Sequence, residues 1–253
     1  MEAYLDWQSK SGGIKLNDVI EEYRYVANGK SVKKGDFLTY VGEDVAPATE
    51  PPFNAIALSS GVGAPEYVEV VTTKTGNIFP TTWTVETANT KYSSNGYTLE
   101  AIDWQSGLYP ASNICDGKDN TYWESSTKSS SYDYWVKMTL PSAIKITKMK
   151  IHASVYNSNS YFGGIIVQGS NDDSIWDDIY NIDYNIPSAD VFDINSKDFY
   201  KYYRLYIKTI GSGNRTARVW VFETSEYIVK EQIPSTEHKD QVKIARPSIG
   251  GGN

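Results

Sequence analysis

Between Ala111 and Ser126 the chain reads ASNICDGKDNTYWESS, with Asn113, Asp116, Gly117, Asp119, Asn120 and Thr121 crowded into one turn-like stretch. Carboxylate, amide and hydroxyl oxygens, together with the carbonyls of a tightly turned backbone, are the hard ligands that calcium takes in six- to eight-fold coordination. The same residues build Asx turns that need no metal, and both readings stay open from the residues alone. An EF-hand is excluded, because its longer acidic ladder closing in Glu is missing.

Catalytic chemistry finds less support. His152 and His238 are the only histidines, and neither accompanies a GxSxG elbow or another nucleophile motif. Asp172, Asp173, Asp177 and Asp178 are paired carboxylates, but they crowd a predicted turn and read as a solvated loop. No enzyme is expected. Cys115 is the single cysteine, so neither an intrachain disulfide nor a multi-cysteine zinc site can form within the chain.

A net charge of −7 and a pI near 5.0 oppose attraction to nucleic acid or anionic lipid. The start, MEAYLDWQSKSGG, lacks a basic-then-apolar run, and no apolar stretch is long enough for a membrane helix. A protein made in a cytoplasm without a signal peptide and released by lysis fits these features, as do many intracellular proteins, and no membrane insertion is expected. Twenty tyrosines suit strands and wet binding surfaces, since a tyrosine ring can pack while its hydroxyl meets water.

The elements that must position these residues are strands. Short runs rich in Val, Ile, Thr and Tyr, bounded by Gly, Asn, Asp or Pro, recur along the chain, whereas helical periodicity is weak. The fold class read here is all-β. A small N-terminal domain over 1–79 has strands near Glu21–Ala27, Asp36–Val41, Ala55–Leu58 and Tyr67–Val71, and Gly29 and Gly35 serve its tight turns. A polar junction, TKTGNIFPTTWTVETANTKYSSNGY, leads into a second domain over 80–228. Its strands include YWVKMTL, ITKMKIHASV, GGIIVQGS, DVFDI, YYRLYIKTI and RVWVFETSEY. Alternation at Val136, Met138 and Leu140, and again at Met149 and Ile151, predicts two antiparallel sheets packed face to face. Residues 229–253 are a last strand or flexible tail. The recurrence of DWQS at Asp6 and Asp103 is too short to count as a repeat.

The order of landmarks adds a family. YPASNICDGKDNTYWESS, YWVKMTLPSAIKITKMKI, GGIIVQGSNDDSIWDDI and YKYYRLYIKTIGSGNRTARVWVFETSEY resemble, in sequence, the discoidin or coagulation-factor C-type domain, including family 32 carbohydrate-binding modules. The resemblance implies a jelly-roll β-sandwich and, in many members, a structural calcium. Carried over residue by residue, it nominates Asn113, Asp116, Asp119, Thr121 and Glu223 as ligands, partly through carbonyls. Trp123, Trp135, Trp176 and Trp220 stand at or beside family landmarks and are read as core packing, and Arg204 as structural.

Family members bind ligand through variable loops at one end of the sandwich, so only residue type guides the search there. A sugar site wants an aromatic face and planar polar groups. Three loops offer them: Tyr132 with Asp133; Tyr156, Asn157, Asn159, Tyr161 and Phe162; and Asn214, Arg215 with Arg218. His152, near the end of a strand entering the second loop, is added from the use of a histidine by some lectin relatives.

The N-terminal pattern VANGKSVKKGDFLTYVG, followed by AIALSSGVGAPEYVEVVTT, resembles small β domains of bacteriophage virion proteins. That resemblance implies anchoring to a particle, with other virion proteins of capsid or tail as partners and many copies or a homo-oligomer per particle. The discoidin-like domain would then bind cell-surface or mucosal glycans. A structural decoration protein without a sugar site, or a targeting module for a hydrolase, are the alternatives.

Overall fold

The computed structural model describes residues 19–40, 53–105, 107–128, 132–156, 162–211, 213–237 and 239–247. Among these, regular structure is strand apart from a short 3₁₀ helix at Ala111–Cys115. The chain divides into two compact units: Met1–Val70 with Gln232–Asn253, and Val71–Glu231.

In the first unit, β1 (Val19–Tyr25), β3 (Phe37–Tyr40) and β4 (Phe53–Ala57) form a sheet, while β2 (Ser31–Val32) pairs with β5 (Gly61–Val62). The sheet is completed by the last strand, β17 (Gln241–Pro247), in the order β1-β17-β4-β3. Val242 and Ile244 of β17 meet Val26 and Ala55 on one face, and Ala245 meets Ile56 on the other. Residues 229–253 therefore do not stand apart. Their apolar VKIA needs cover on both faces, and a central sheet position supplies it. Gly29 and Gly35 adopt φ of 71° and 96°, which suits glycine at the turns expected there.

The second unit holds β6 (Tyr67–Thr75) in part, then β7 (Thr84–Thr87), β8 (Lys91–Ser94), β9 (Tyr97–Ala101) and β10 (Trp123–Glu124). It continues with β11 (Tyr134–Tyr156), β12 (Phe162–Ser170), β13 (Asp177–Ile182), β14 (Asp190–Asp193), β15 (Tyr200–Thr209) and β16 (Thr216–Pro234). The expected junction is a correction: β7 and β8 lie within it, and β9 begins at its last residue. Asn89 at φ 65° and the Asn95–Gly96 pair at φ 48° and 83° turn the chain tightly enough for consecutive hairpins.

One strand links the two sheets. The first half of β11 pairs with β15 and β9, and its second half with β16 and β14. The change falls at an irregularity between Thr139 and Ile144, where exposed Pro141, lacking an N–H, suits a corner. The first sheet then runs β13-β12-β15-β11-β9-β8-β7. The second contains β14, β11, β16 and β10, with β6 also against β16. Val136, Met138, Leu140, Met149 and Ile151 are buried as their alternation requires, and they share one core with Leu205, Ile207, Val219 and Phe222. Phe79 joins that core at 5.9 Å from Phe222, so the unit's packing begins before residue 80.

Candidate functional site: the loop end of the sandwich

Strand register gathers the three variable loops. Tyr156, the last residue of β11, pairs with Thr216, and Phe162, the first of β12, pairs with Thr209. Lys128 exchanges both backbone hydrogen bonds with Arg215 at 3.0 Å. The described residues that flank the segments before β11, between β11 and β12, and between β15 and β16 therefore lie at the same end of the sandwich.

Buried groups hold these segments in place. Thr209 Oγ1 accepts the Tyr132 N–H at 3.0 Å and donates to the Tyr132 carbonyl at 2.5 Å. Tyr134 donates its hydroxyl to the Arg215 carbonyl at 3.1 Å, and burial first of all pushes that phenol up to about 12. Arg215, proposed from sequence as a ligand contact, is a correction: its side chain is fully buried. Its Nε and Nη2 donate to the carbonyls of Gly213 and Gly211 at 3.1 and 3.0 Å, so it shapes the loop from within. Phe162 is partly buried and packs against the core, as Tyr132 does. Asn157, Asn159 and Tyr161 lie outside the described residues, as does His238.

What the end presents outward is different. Asn214 is exposed, and Tyr132 is half-buried, with Lys128 Nζ 4.9 Å from its ring centroid and Tyr134 edge-on at 5.0 Å. Sequence reasoning missed a fourth segment. Asp103 accepts the N–H and hydroxyl of Ser126 at 3.0 and 2.5 Å and stands 3.4 Å from Lys128 Nζ. Trp104, 38% exposed, follows it. The signal lies in the DWQS tetrapeptide, where an Asp stands directly beside an aromatic.

His152 lies away from this end. It stacks on Trp220 with centroids 4.3 Å apart and planes 13° from parallel, and burial lowers its pKa against the opposing charge of Asp119. Trp220 also touches Tyr122, which Arg218 overlies at 5.0 Å. The tryptophans thus divide. Trp123 is fully buried and donates Nε1 to the Asp103 carbonyl at 2.8 Å. Trp135, Trp176 and Trp220 are only half-buried, which corrects the reading of all four as core: alternation places Trp135 and Trp220 on outward faces of their strands.

The acidic loop sits beside the middle of the second sheet. Asp116 accepts the Lys118 N–H at 2.9 Å and the Thr121 hydroxyl at 2.8 Å, and Asn113 donates to the Tyr122 carbonyl at 2.9 Å. Lys150 Nζ reaches Asp119 at 3.0 Å, and Lys150 pairs in register with Glu223. Burial raises the Glu223 carboxyl pKa, and the charges of Asp119 and Asp116 add to the rise against Lys150. Cys115 is buried beneath, donating to the Phe222 carbonyl, and burial pushes its thiol well up. Such a thiol is inert at neutral pH.

The family model described as F5/8 type C domain matches residues 89–221, just over half of the chain. Similar solved structures include a family 32 carbohydrate-binding module from a family 31 glycoside hydrolase of Clostridium perfringens. It is 18% identical, over 50% of this chain and 90% of that one, with a TM-score of 0.40. The family 32 module of Clostridium perfringens NanJ in complex with galactose is 17% identical, over 53% and 94%, at 0.39. Chitosan-binding module 1 of a Paenibacillus chitosanase/glucanase is 22% identical, over 51% and 93%, at 0.40. No curated protein matches the chain. With its acidic loop, bent central strand and the start of β16 inside the matched span, the chain belongs to the F5/8 type C domain family.

Proposed function

We propose that the chain is an adhesion protein whose sandwich binds a cell-surface or mucosal glycan at the loop end, while the first unit tethers it. The observation behind this reading is the division of labour there: Arg215, Tyr134 and Thr209 fix the backbone from inside, leaving Tyr132, Lys128, Asn214 and Trp104 on the outside. An aromatic face beside a few oriented polar groups suits a pyranose. Single sugar contacts are weak, and many copies on one particle raise effective affinity by about 10² to 10⁴ where geometry permits. A bacteriophage head or tail is such a particle. The sequence pattern of the first unit supports it, and attachment to a hydrolase is the other tether.

Calcium belongs to the same proposal, as a structural ion. Asp116, Asp119, Thr121 and Glu223 offer hard oxygens, and a cation would offset the burial that raises Glu223 and the smaller repulsion from Asp119 and Asp116. Among the described residues no three His, Cys, Asp or Glu side chains are grouped to hold a metal by themselves. Carbonyls, including that of Asn113, and the Thr121 hydroxyl would complete the set.

The test is binding of the full chain, displayed multivalently, to a broad glycan array with and without calcium. Reproducible hits lost in Lys128→Ala and Asn214→Ala support the reading. A blank from folded protein overturns it and favours structural decoration.

A further inference from the structure

The outward face of the first sheet carries a second set of residues suited to a sugar, and it begins where the loop end stops. Cross-strand register places Trp135, Tyr206 and Ile166 in one row across three strands, and Lys137, Arg204 and Gln168 in the next. Ile166, Lys137 and Gln168 are buried and support the face, while half-buried Trp135, Tyr206 and Arg204 are its accessible part. Core side chains alternate with these on the opposite face, since Val136, Leu205, Ile207 and Val167 are fully buried. The rows are preorganised. Arg204 Nε donates to Gln168 at 2.6 Å, and its guanidinium lies 4.0 Å from the Trp176 ring and 4.8 Å from the Tyr206 ring. Lys137 is held by Glu100 at 2.8 Å and Asp173 at 2.7 Å.

Continuity with the loop end is direct. Tyr206 donates its hydroxyl to Asp133 at 2.6 Å, and Asp133 follows Tyr132. Beyond Tyr206, Lys208 pairs in register with Gly164, whose backbone at φ 122° contributes no side chain, so the face stays low beside the aromatic row. Cations and carboxylates are mixed on this face, with Lys137, Arg204 and Lys208 against Glu100, Asp133 and Asp178. Such a balanced field suits an uncharged polyhydroxylated chain better than a polyanion.

We infer that the glycan site extends from the loop end over Trp135 and Tyr206, so that the ligand is an oligosaccharide of several sugars with inner units stacked on this platform. This rests on the glycan reading above. The test compares the full-length chain with Trp135→Ala, and with Lys208→Ala as a milder second variant. Chitooligosaccharides and β-galactosides of one to five units, with the best hit of the array, are titrated against each. Thermal melts confirm folding.

The expected result is that wild type gains affinity with chain length, that Trp135→Ala loses about tenfold on the longest ligands, and that monosaccharide binding is unchanged. Length-dependent binding that is equal in wild type and both variants overturns the extension and leaves the loop-end site standing. Wild-type protein that binds no glycan overturns both. A dimer that Trp135→Ala dissolves, with glycan titrations unchanged, assigns the face to a second copy and also overturns the extension. If Trp135→Ala fails to fold, an unchanged oligosaccharide affinity in Lys208→Ala counts against the platform and a selective loss counts for it.

Discussion

The acidic loop and the loop end are both rich in polar residues, but they use them in opposite directions. In the acidic loop Asp116, Asn113 and Asp119 spend their side chains on the loop's own backbone, on Thr121 and on Lys150. At the loop end the equivalent work is done by Arg215, Tyr134 and Thr209 from beneath, and Asn214 is left exposed. Asn113 and Asp116 are thereby framework for their own loop, whereas Asn214, whose backbone is fixed by others, is available to a ligand.

The largest effect that can sharpen this contrast is expected at Arg215. Arg215→Ala removes a fully buried guanidinium and leaves the Gly211 and Gly213 carbonyls without it, at a cost of about 2 to 4 kcal/mol measurable by urea unfolding. Asn214→Ala beside it should leave stability within about 0.5 kcal/mol. Equal losses in the two variants would erase the distinction.

Next is calcium. An ion bound only by the folded chain at about a hundredfold above its Kd adds about 2.7 kcal/mol, so chelation should lower the melting temperature. The Glu223 carboxyl is raised in the folded state, so its contribution is fully present below the unfolded pKa and is lost as pH rises through the folded value. In chelator, Glu223→Gln should therefore stabilise the protein at pH 7, and in calcium it should destabilise it. The same sign in both buffers contradicts a calcium role.

The loop-end surface should respond in affinity alone. Lys128→Ala is expected to weaken binding of an array hit by about three- to tenfold while shifting the melting temperature little, because its ion pair with Asp103 is partly exposed. A matching loss of stability would move Lys128 to the framework side.

His152 gives the smallest effect. Burial holds its pKa below the ordinary value, so its contribution to stability is complete above the unfolded pKa and declines as pH falls through the folded one. Replacement by Phe should flatten the stability profile between about pH 7 and 5, and an unchanged slope would show that the stack on Trp220 tolerates the charge.

Legibility followed the same division. Alternation exposed the core at Val136, Met138 and Leu140, because one-sided burial writes a period of two into the sequence. The hairpins of β7 to β9 stayed hidden: their strands are short and polar, and Asn95–Gly96 was the sole strong turn signal. The place of β17 was also invisible, since its partners β1 and β4 lie nearly the whole chain away. Asn214 and Arg215 are adjacent and both polar, yet one is exposed and the other buried. Residue type alone could not separate them, because the deciding factor is the pair of glycine carbonyls that Arg215 meets in three dimensions.

The most direct test of the central claim is a glycan-array measurement on the intact chain, run beside Asn214→Ala and Lys128→Ala variants of equal melting temperature. Reproducible wild-type hits that weaken in both variants are expected. Folded wild-type protein that binds no glycan, or hits that persist undiminished in both variants, would contradict it.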